Sequence, residues 1–341
     1  MKLRTIFLIS VLACSAQIAR FFGAGVAYSQ SNQTKSGAEV KEPEGLPVVC
    51  TISYTISAPG NTRWVRLVAL TPESVPEIQK IDRIEYSLKP IASYRTNGYH
   101  YDEFIIYNPA KIEKLEVTVH AKLYRYDLDT AMKNKEKVND LLSILRGTIA
   151  EQERPKGLDE FLKQEKYIEK DDTQIREIAK SITGASDVDI VKNIYDYVLD
   201  NLEYIVQGRK DLGALNALRH KKGDCSEYSD LFVALCRAKD IPARVVNGFS
   251  VQLDTKTAKH NWVEVYLSKY GWVPFDPSKG DVNIRALRER LFKILEPRYI
   301  YFSHIRNDYV LQGYHYCAFS YFGDQVIVTD SVKFQFPKQT N

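Results

Sequence analysis

The chain has 341 residues, 44% hydrophobic and 26% charged, with 47 basic against 43 acidic side chains. That length suits two domains better than one. So small a net charge gives no electrostatic case for nucleic acid or an anionic surface as a partner.

Residues 1–27 have the layout of a secretory signal peptide: two positive charges, an apolar run from Ile6 to Ala16, and small residues at Gly25-Val26-Ala27. A membrane-spanning helix needs about 20 apolar residues, and Gln17 and Arg20 interrupt this run too early. The expectation is cleaved export, with a periplasmic or extracellular mature protein. A lipid anchor on Cys14, in a loose lipoprotein box at Val11-Leu12-Ala13-Cys14, is one alternative, and an uncleaved anchor is another. Cys50, Cys225, Cys236 and Cys317 then remain in a compartment where disulfides persist. Four cysteines in so long a chain are no disulfide scaffold, and whether Cys50 pairs with Cys317 stays open at this stage.

Residues 28–45 are polar and read as a flexible tether. From Leu46 to Asp129 short alternating segments follow (VVCTISYTI, RWVRLVAL, RIEYSL, EFIIYN, KLEVTVHAKLYRY), punctuated by turns at Ala58-Pro-Gly-Asn, Asn97-Gly and Asn108-Pro. This predicts an antiparallel β-sandwich over 46–129. Trp64 belongs to its core, while His100 and His120 stand singly among strand residues in structural roles. Residues 130–172 are heavily charged and predict a solvated helical connector, with helices in VNDLLSILRG and LDEFLKQEKY joined at Glu153-Arg-Pro-Lys-Gly. Two amphipathic helices come next. The first carries Ile175, Ile178 and Ile182; the second opens at Ser186, with Asp189 three residues on and a stripe of Ile190, Ile194, Tyr197 and Val198.

The stretch GDCSEYSDLFVALCRAKDIPARVV places Cys225 in the first turn of an apolar-faced helix that Pro242 ends. Free N–H groups and the helix dipole there favour a thiolate, the nucleophilic form of cysteine. Gly223 permits a tight entry and leaves the thiol approachable, whereas Cys236, eleven positions on, reads as a small buried hydrophobe. A nucleophilic cysteine needs a base and the base an orienting group. Downstream, HNWVEVYL and GWVPF are strand-like, so that His260 begins one strand and Asp276 ends the other. A hairpin centred on Ser268 sets the two opposite each other, about 5 Å apart. Centring it between Lys269 and Tyr270 pairs Asp276 with Val263 and separates them by roughly 10 Å.

These segments resemble the core of the transglutaminase-like superfamily, which is related to papain-like cysteine proteases. The family's Gly-x-Cys helix start, Arg-x-x-Gly-Ile-Pro-Ala-Arg segment, His-x-Trp-x-Glu strand and Gly-Trp-x-x-x-Asp-Pro strand correspond to Gly223–Cys225, Arg237–Arg244, His260–Glu264 and Gly271–Pro277. One departure is Asp240, at a turn position where the family has Gly. The likeness extends over about residues 173–280 and implies an α+β fold, with the cysteine-bearing helix packed on an antiparallel sheet, preceded by the sandwich. It implies Cys225 as nucleophile, His260 as general base and then acid, and Asp276 as the residue that holds the imidazole. The chemistry implied is acyl transfer through a thioester on a protein or peptide amide. The Cys225 N–H is one candidate oxyanion donor, and Tyr204 or another upstream side chain is the second. Trp262, Trp272 and Glu264 read as supports for the fold, and His220 as a surface residue.

Past Asp281 a short helix, IRALRERLFKIL, precedes aromatic strands in RYIYFSHI, YHYCAFSYFG and DQVIVTDSVKFQF. They are expected to extend the core sheet or cover an edge of the cleft, which puts residues 173–341 into one catalytic domain. His304 receives no role. The histidines are dispersed, with no Cys-x-x-Cys and no His-Glu-x-x-His, so neither a metal nor another cofactor is expected. Hydrolysis or deamidation is favoured over cross-linking, because transfer to an amine requires excluding water and admitting a second substrate. The alternatives are a catalytically silent peptide-binding module and an envelope assembly protein whose sandwich captures the partner.

Overall fold

The computed structural model describes residues 44–58, 60–146, 157–206, 211–251 and 258–337. The signal-peptide reading of 1–27, most of the tether and the joint at Glu153–Lys156 lie outside them. Six strands come first: β1 (Leu46–Ser57), β2 (Trp64–Thr71), β3 (Gln79–Tyr86), β4 (Ala92–Thr96), β5 (Tyr99–Tyr107) and β6 (Ile112–Leu123). Alternation does what was expected of it. Leu115, Val117, Val119, Ala121 and Leu123 of β6 all turn inward, and β1 sets Cys50 against Val119 and Ile52 against Val117. Asn97 and Gly98 both take positive φ, +52° and +82°, and close the β4–β5 hairpin with the mirror-image turn that matches strand twist. Trp64 departs from the expectation: it is half-buried and stacks on Phe322 at 6.3 Å instead of entering the core.

A short strand β7 (Tyr126–Asp127) leads into α1 (Leu128–Arg146). The segment LDEFLKQEKY is not an α-helix; only Leu158–Leu162 coil, as a 3-10 turn. Nor is this part a solvated connector. Leu158 and Ile168 are buried, Arg237 donates to the Lys163 carbonyl at 2.6 Å and pairs with Glu165 at 2.7 Å, and Phe161 meets Trp272 edge-on at 5.0 Å. Two apolar residues and one carbonyl partner decide the packing here, against a charged composition.

Helices α2 (Thr173–Ser181), α3 (Asp187–Asn201) and α4 (Ala214–His220) surround α5 (Cys225–Ala238), with β8 (Glu203–Tyr204) and β9 (Lys222–Gly223) pairing in parallel just before it. Asp172 and Ser186 cap α2 and α3 through side-chain oxygens. The buried stripe of α3 is Val191, Ile194, Tyr195, Val198 and Leu199, so Ile190 and Tyr197 fall at its margins. Every residue of α5 from Ser226 to Arg237 is buried. Asp240 follows at φ +58°, the left-handed conformation for which Gly is the usual choice and which Asp tolerates.

Against α5 lies an antiparallel sheet. Strands β10 (Ala243–Ser250), β11 (Lys259–Leu267) and β12 (Gly271–Phe275) are followed by α6 (Pro277–Gly280), α7 (Arg285–Lys293), β13 (Ile294–Leu295) and β14 (Tyr299–Ser303), in the order β12-β11-β10-β14. Thus β14 extends the core sheet as expected. The next two strands do not. β15 (Cys317–Phe322) pairs with β2 and β16 (Ile327–Gln335) pairs with β1, so each completes one four-stranded sheet of the sandwich. Placing them in the catalytic domain is therefore corrected: the sandwich is built from both ends of the described chain. Phe249, Ile300, Phe302 and Leu311 from around the core sheet share one apolar cluster with Val68, Tyr101 and Phe104 of the sandwich. Gln79 of β3 donates to the Tyr301 carbonyl at 3.0 Å and accepts the Tyr301 N–H at 2.8 Å. Each large apolar side chain so buried contributes about 1.5–3 kcal/mol.

Candidate active site

Cys225 is the first residue of α5, half-buried, behind the cap residue Asp224. Asp224 accepts the Ser226 N–H at 2.9 Å, and Glu227 reaches back to accept the Asp224 N–H at 3.0 Å and the Leu212 N–H at 2.9 Å. This is a capping box. Burial and the neighbouring Asp224 charge push the Glu227 carboxyl up to about 7, against the pull of its two N–H donors. A Cβ on Gly223 would stand 2.3 Å from the Glu227 Cβ, so this glycine makes room for the box. Cys236 is fully buried, and burial pushes its thiol up. Cys50 and Cys317 are free and belong to opposite sheets of the sandwich.

The β11–β12 hairpin adopts neither of the two registers considered from sequence. Val263 faces Phe275 and Leu267 faces Gly271, which centres the turn on Lys269. Asp276, just past β12, falls in line with Trp262, and His260 is its diagonal neighbour on the same face. The side chains still meet: His260 Nε2 lies 2.7 Å from Asp276 Oδ2. The same oxygen accepts the Tyr299 hydroxyl at 2.8 Å, while Oδ1 accepts the Ser278 hydroxyl at 2.9 Å and the Lys279 N–H at 3.0 Å. Asp276 therefore caps α6 and holds the imidazole at once. Burial opposes its charge, but His260 and these donors hold the carboxyl below its usual range. Burial likewise opposes the imidazolium, yet the charges of Asp276 and Cys225, with a hydrogen bond to each, push His260 up to about 10. With Nε2 on Asp276, Nδ1 is the ring nitrogen left for the sulfur.

Around this pair the aromatic packing is tight. Trp262 lies edge-on to Tyr299 at 5.0 Å and to Tyr301 at 4.7 Å. Gly248 lets it do so, because a Cβ there would come within 2.3 Å of the indole and 2.2 Å of the Ile300 carbonyl. Glu264 accepts two hydrogen bonds from Arg244, at 2.8 and 2.6 Å, and lies 3.0 Å from His304; Arg244 in turn stands 3.9 Å over the Trp272 ring. Glu264, Trp262 and Trp272 thus support the sheet, and His304, given no role from sequence, is part of that support.

Tyr204 pairs in register with Gly223, and its phenol is pushed up to about 12 by burial and by the nearby charges of Cys225 and Asp224. It stands at the rim, 45% exposed, with its ring 5.9 Å from Tyr228. Sequence reasoning missed Tyr299, Tyr316 and Arg306. The Tyr316 hydroxyl donates to the Gly248 carbonyl at 2.6 Å and bonds the His260 backbone N–H, with the ring stacked on Phe249 at 5.0 Å. Arg306 is fully buried, donates to both oxygens of Asp230 on α5 at 2.7 Å and to Asp211 at 3.1 Å, and so ties the segment after β14 to the cysteine-bearing helix. No local pattern marks these residues. His220 is exposed, as expected. Among the described residues no group of three or more His, Cys, Asp or Glu side chains is arranged to hold a metal ion, and no helix is long and apolar enough to cross a membrane.

Comparison with known proteins places the segment that carries these residues in a family. Residues 176–277 match the family model of the transglutaminase-like superfamily core. Over 153 residues the chain is 29% identical to the uncharacterized protein YebA of Bacillus subtilis, covering 38% of this chain and 21% of that one. Over 187 residues it is 26% identical to an uncharacterized protein of Haemophilus influenzae, covering 43% of this chain and 50% of the other. The chain thus spans half or less of the length of the curated relatives it matches. In fold it resembles the crystal structure of a candidate cysteine protease from Cytophaga hutchinsonii, with a TM-score of 0.58 at 17% identity over 88% of this chain and 93% of that one. With the Gly223–Cys225 helix start, the His260–Glu264 strand and the Gly271–Pro277 strand inside the matched segment, the chain carries a core of the transglutaminase-like superfamily.

Proposed function

We propose that this protein is an exported cysteine acyl-transferase or amidase that attacks protein or peptide amides through a thioester. The observation that carries the reading is the buried His260–Asp276 pair, at 2.7 Å, with the charge of a cysteine at a helix N-terminus acting on its imidazole. Asp276 orients the ring. His260 takes the Cys225 proton, and the sulfur attacks the amide carbonyl carbon while the carbonyl π electrons move to oxygen. The Cys225 N–H, outside the helix's own ladder, and the Tyr204 hydroxyl receive that oxyanion. Collapse breaks the C–N bond, His260 returns the proton to the leaving amine, and a thioester remains. Water then attacks the thioester carbonyl and gives a proton to His260, and collapse breaks the C–S bond, so that the acid is released and the Cys225 sulfur is freed beside protonated His260; the result is hydrolysis or, for a side-chain amide, deamidation. Water is favoured over an amine because transfer to an amine requires excluding water, and Tyr204, the candidate oxyanion donor, is 45% exposed. The reaction so written draws on no metal or cofactor.

Iodoacetamide labelling of Cys225 against pH, in wild type and in His260→Ala, tests this. Fast labelling of Cys225 in wild type, slowed in the variant, is the expected outcome. Equal labelling of both proteins, no faster than that of a free thiol, would sink the reading and leave a silent peptide-binding module on the same fold.

A further inference from the structure

The hairpin holds His260 against Asp276, because His260 lies on β11 and Asp276 one residue past its neighbour β12. Nothing in that hairpin places Cys225, which arrives on α5. The helix meets the sheet mainly through apolar side chains such as Leu231, Leu235, Val263 and Val265, and apolar contact is non-directional. A reacting group displaced by about 1 Å can lose on the order of a hundredfold in rate. The chemistry proposed above therefore calls for a directional tie between α5 and β11.

One is present. Ser226, the residue after Cys225, donates its hydroxyl at 3.0 Å to Oδ1 of Asn261, the residue after His260. Asn261 Nδ2 donates to Asn247 Oδ1 at 2.8 Å and to the Val246 carbonyl at 3.3 Å. Asn247 Nδ2 continues to the Ser303 hydroxyl at 3.1 Å and the Ile305 carbonyl at 2.9 Å. Ser226, Asn261, Asn247 and Ser303 are all buried, none more than 8% exposed. The line runs from the first turn of α5 across β11 and β10 to the end of β14. Both amides use their oxygen and both N–H directions, so each has one orientation and no slack. An apolar residue of similar size would pack in this core without the desolvation cost that a buried amide carries. Specificity of placement explains the string better than stability does.

We infer that the Ser226–Asn261 hydrogen bond, backed by Asn247, is the device that sets the approach of Cys225 to His260, so that Ser226 and Asn261 are positioning residues. The inference rests on the Cys225–His260 reading and adds to it two residues that touch no substrate. It also gives Asn261 a purpose that the His-x-Trp-x-Glu pattern leaves blank.

The test uses the full chain and the iodoacetamide labelling profile of Cys225. Ser226→Ala removes one buried oxygen at a helical position where alanine is the best former, and Asn261→Ala removes the acceptor from the other side. In Ser226→Ala, low-pH labelling is expected to fall roughly tenfold to a hundredfold and the pH profile to move toward that of a free thiol. Asn261→Ala is expected to do the same, and the double variant to lose no more than the worse single one. A merely structural role would lower the melting temperature and leave the profile in place. If wild type and His260→Ala differ while Ser226→Ala labels within about twofold of wild type at every pH, the positioning inference is overturned alone. If wild type and His260→Ala do not differ, the Cys225–His260 reading falls and takes this inference with it.

Discussion

Asp276 reaches His260 diagonally, at 2.7 Å, although the hairpin register sets it in line with Trp262. The contact is possible because Asp276 lies one residue beyond β12, where it caps α6 and is free of the ladder. A single carboxylate thus caps a helix and holds an imidazole.

Replacing that carboxylate by an isosteric amide separates the two services. Asp276→Asn is expected to fold, because its side-chain oxygen can still accept from Ser278 and Lys279, but to lose roughly a thousandfold or more in turnover. Circular dichroism alongside the labelling profile of Cys225 checks it; a folded variant with wild-type labelling would contradict the role.

The same pair gives stability a definite pH dependence. His260 is raised from 6.5 to about 10 in the folded protein. Its contribution is therefore complete below about pH 6.5 and is lost as pH rises through about 10. Asp276 is lowered, so its contribution is present above its unfolded value of 3.8 and is lost as pH falls. Thermal melting of wild type should decline from pH 6.5 to 10 more steeply than that of His260→Ala. Parallel curves would assign the decline elsewhere.

Arg306 and Asp230 are both fully buried, and Asp230 stands one turn into the cysteine-bearing helix. Arg306→Ala leaves Asp230 without its bidentate partner, at a cost of about 3–5 kcal/mol. Arg306→Met combined with Asp230→Leu should recover most of that loss, since burying neither charge removes the desolvation penalty. Urea unfolding of the two variants measures the difference.

The sandwich closes only when the far end of the chain returns to it. A chain ending at Gly313 lacks Tyr316, β15 and β16, and leaves β1 and β2 as bare edges. It is expected to lose cooperative unfolding and to aggregate through those edges, and residues 46–129 alone should behave no better. Size-exclusion chromatography with thermal melting decides it. A monomer that melts like wild type would show that six strands suffice.

Local chemistry was legible in the sequence wherever it acts over a few residues. Pro242 and the apolar spacing after Cys225 mark α5, Ser186 caps α3, the Asn97-Gly98 pair closes a hairpin, and alternation shows which side of β1 and β6 turns inward. The order of Cys225, His260 and Asp276 carried the resemblance to the superfamily as well. Tertiary structure alone decided how distant pieces meet. A one-residue change in where the hairpin turns moves every facing pair, and the turn residues Ser268, Lys269 and Tyr270 favour no single register. β15 and β16 carry alternation but no mark of their partners, so only packing assigns them to β2 and β1. Leu158 and Ile168 were hidden by charged neighbours, and Tyr299, Tyr316 and Arg306 by distance along the chain. Capping, turn and periodicity signals act within one or two turns of backbone, whereas strand pairing and buried polar contacts depend on which surfaces the whole chain brings together.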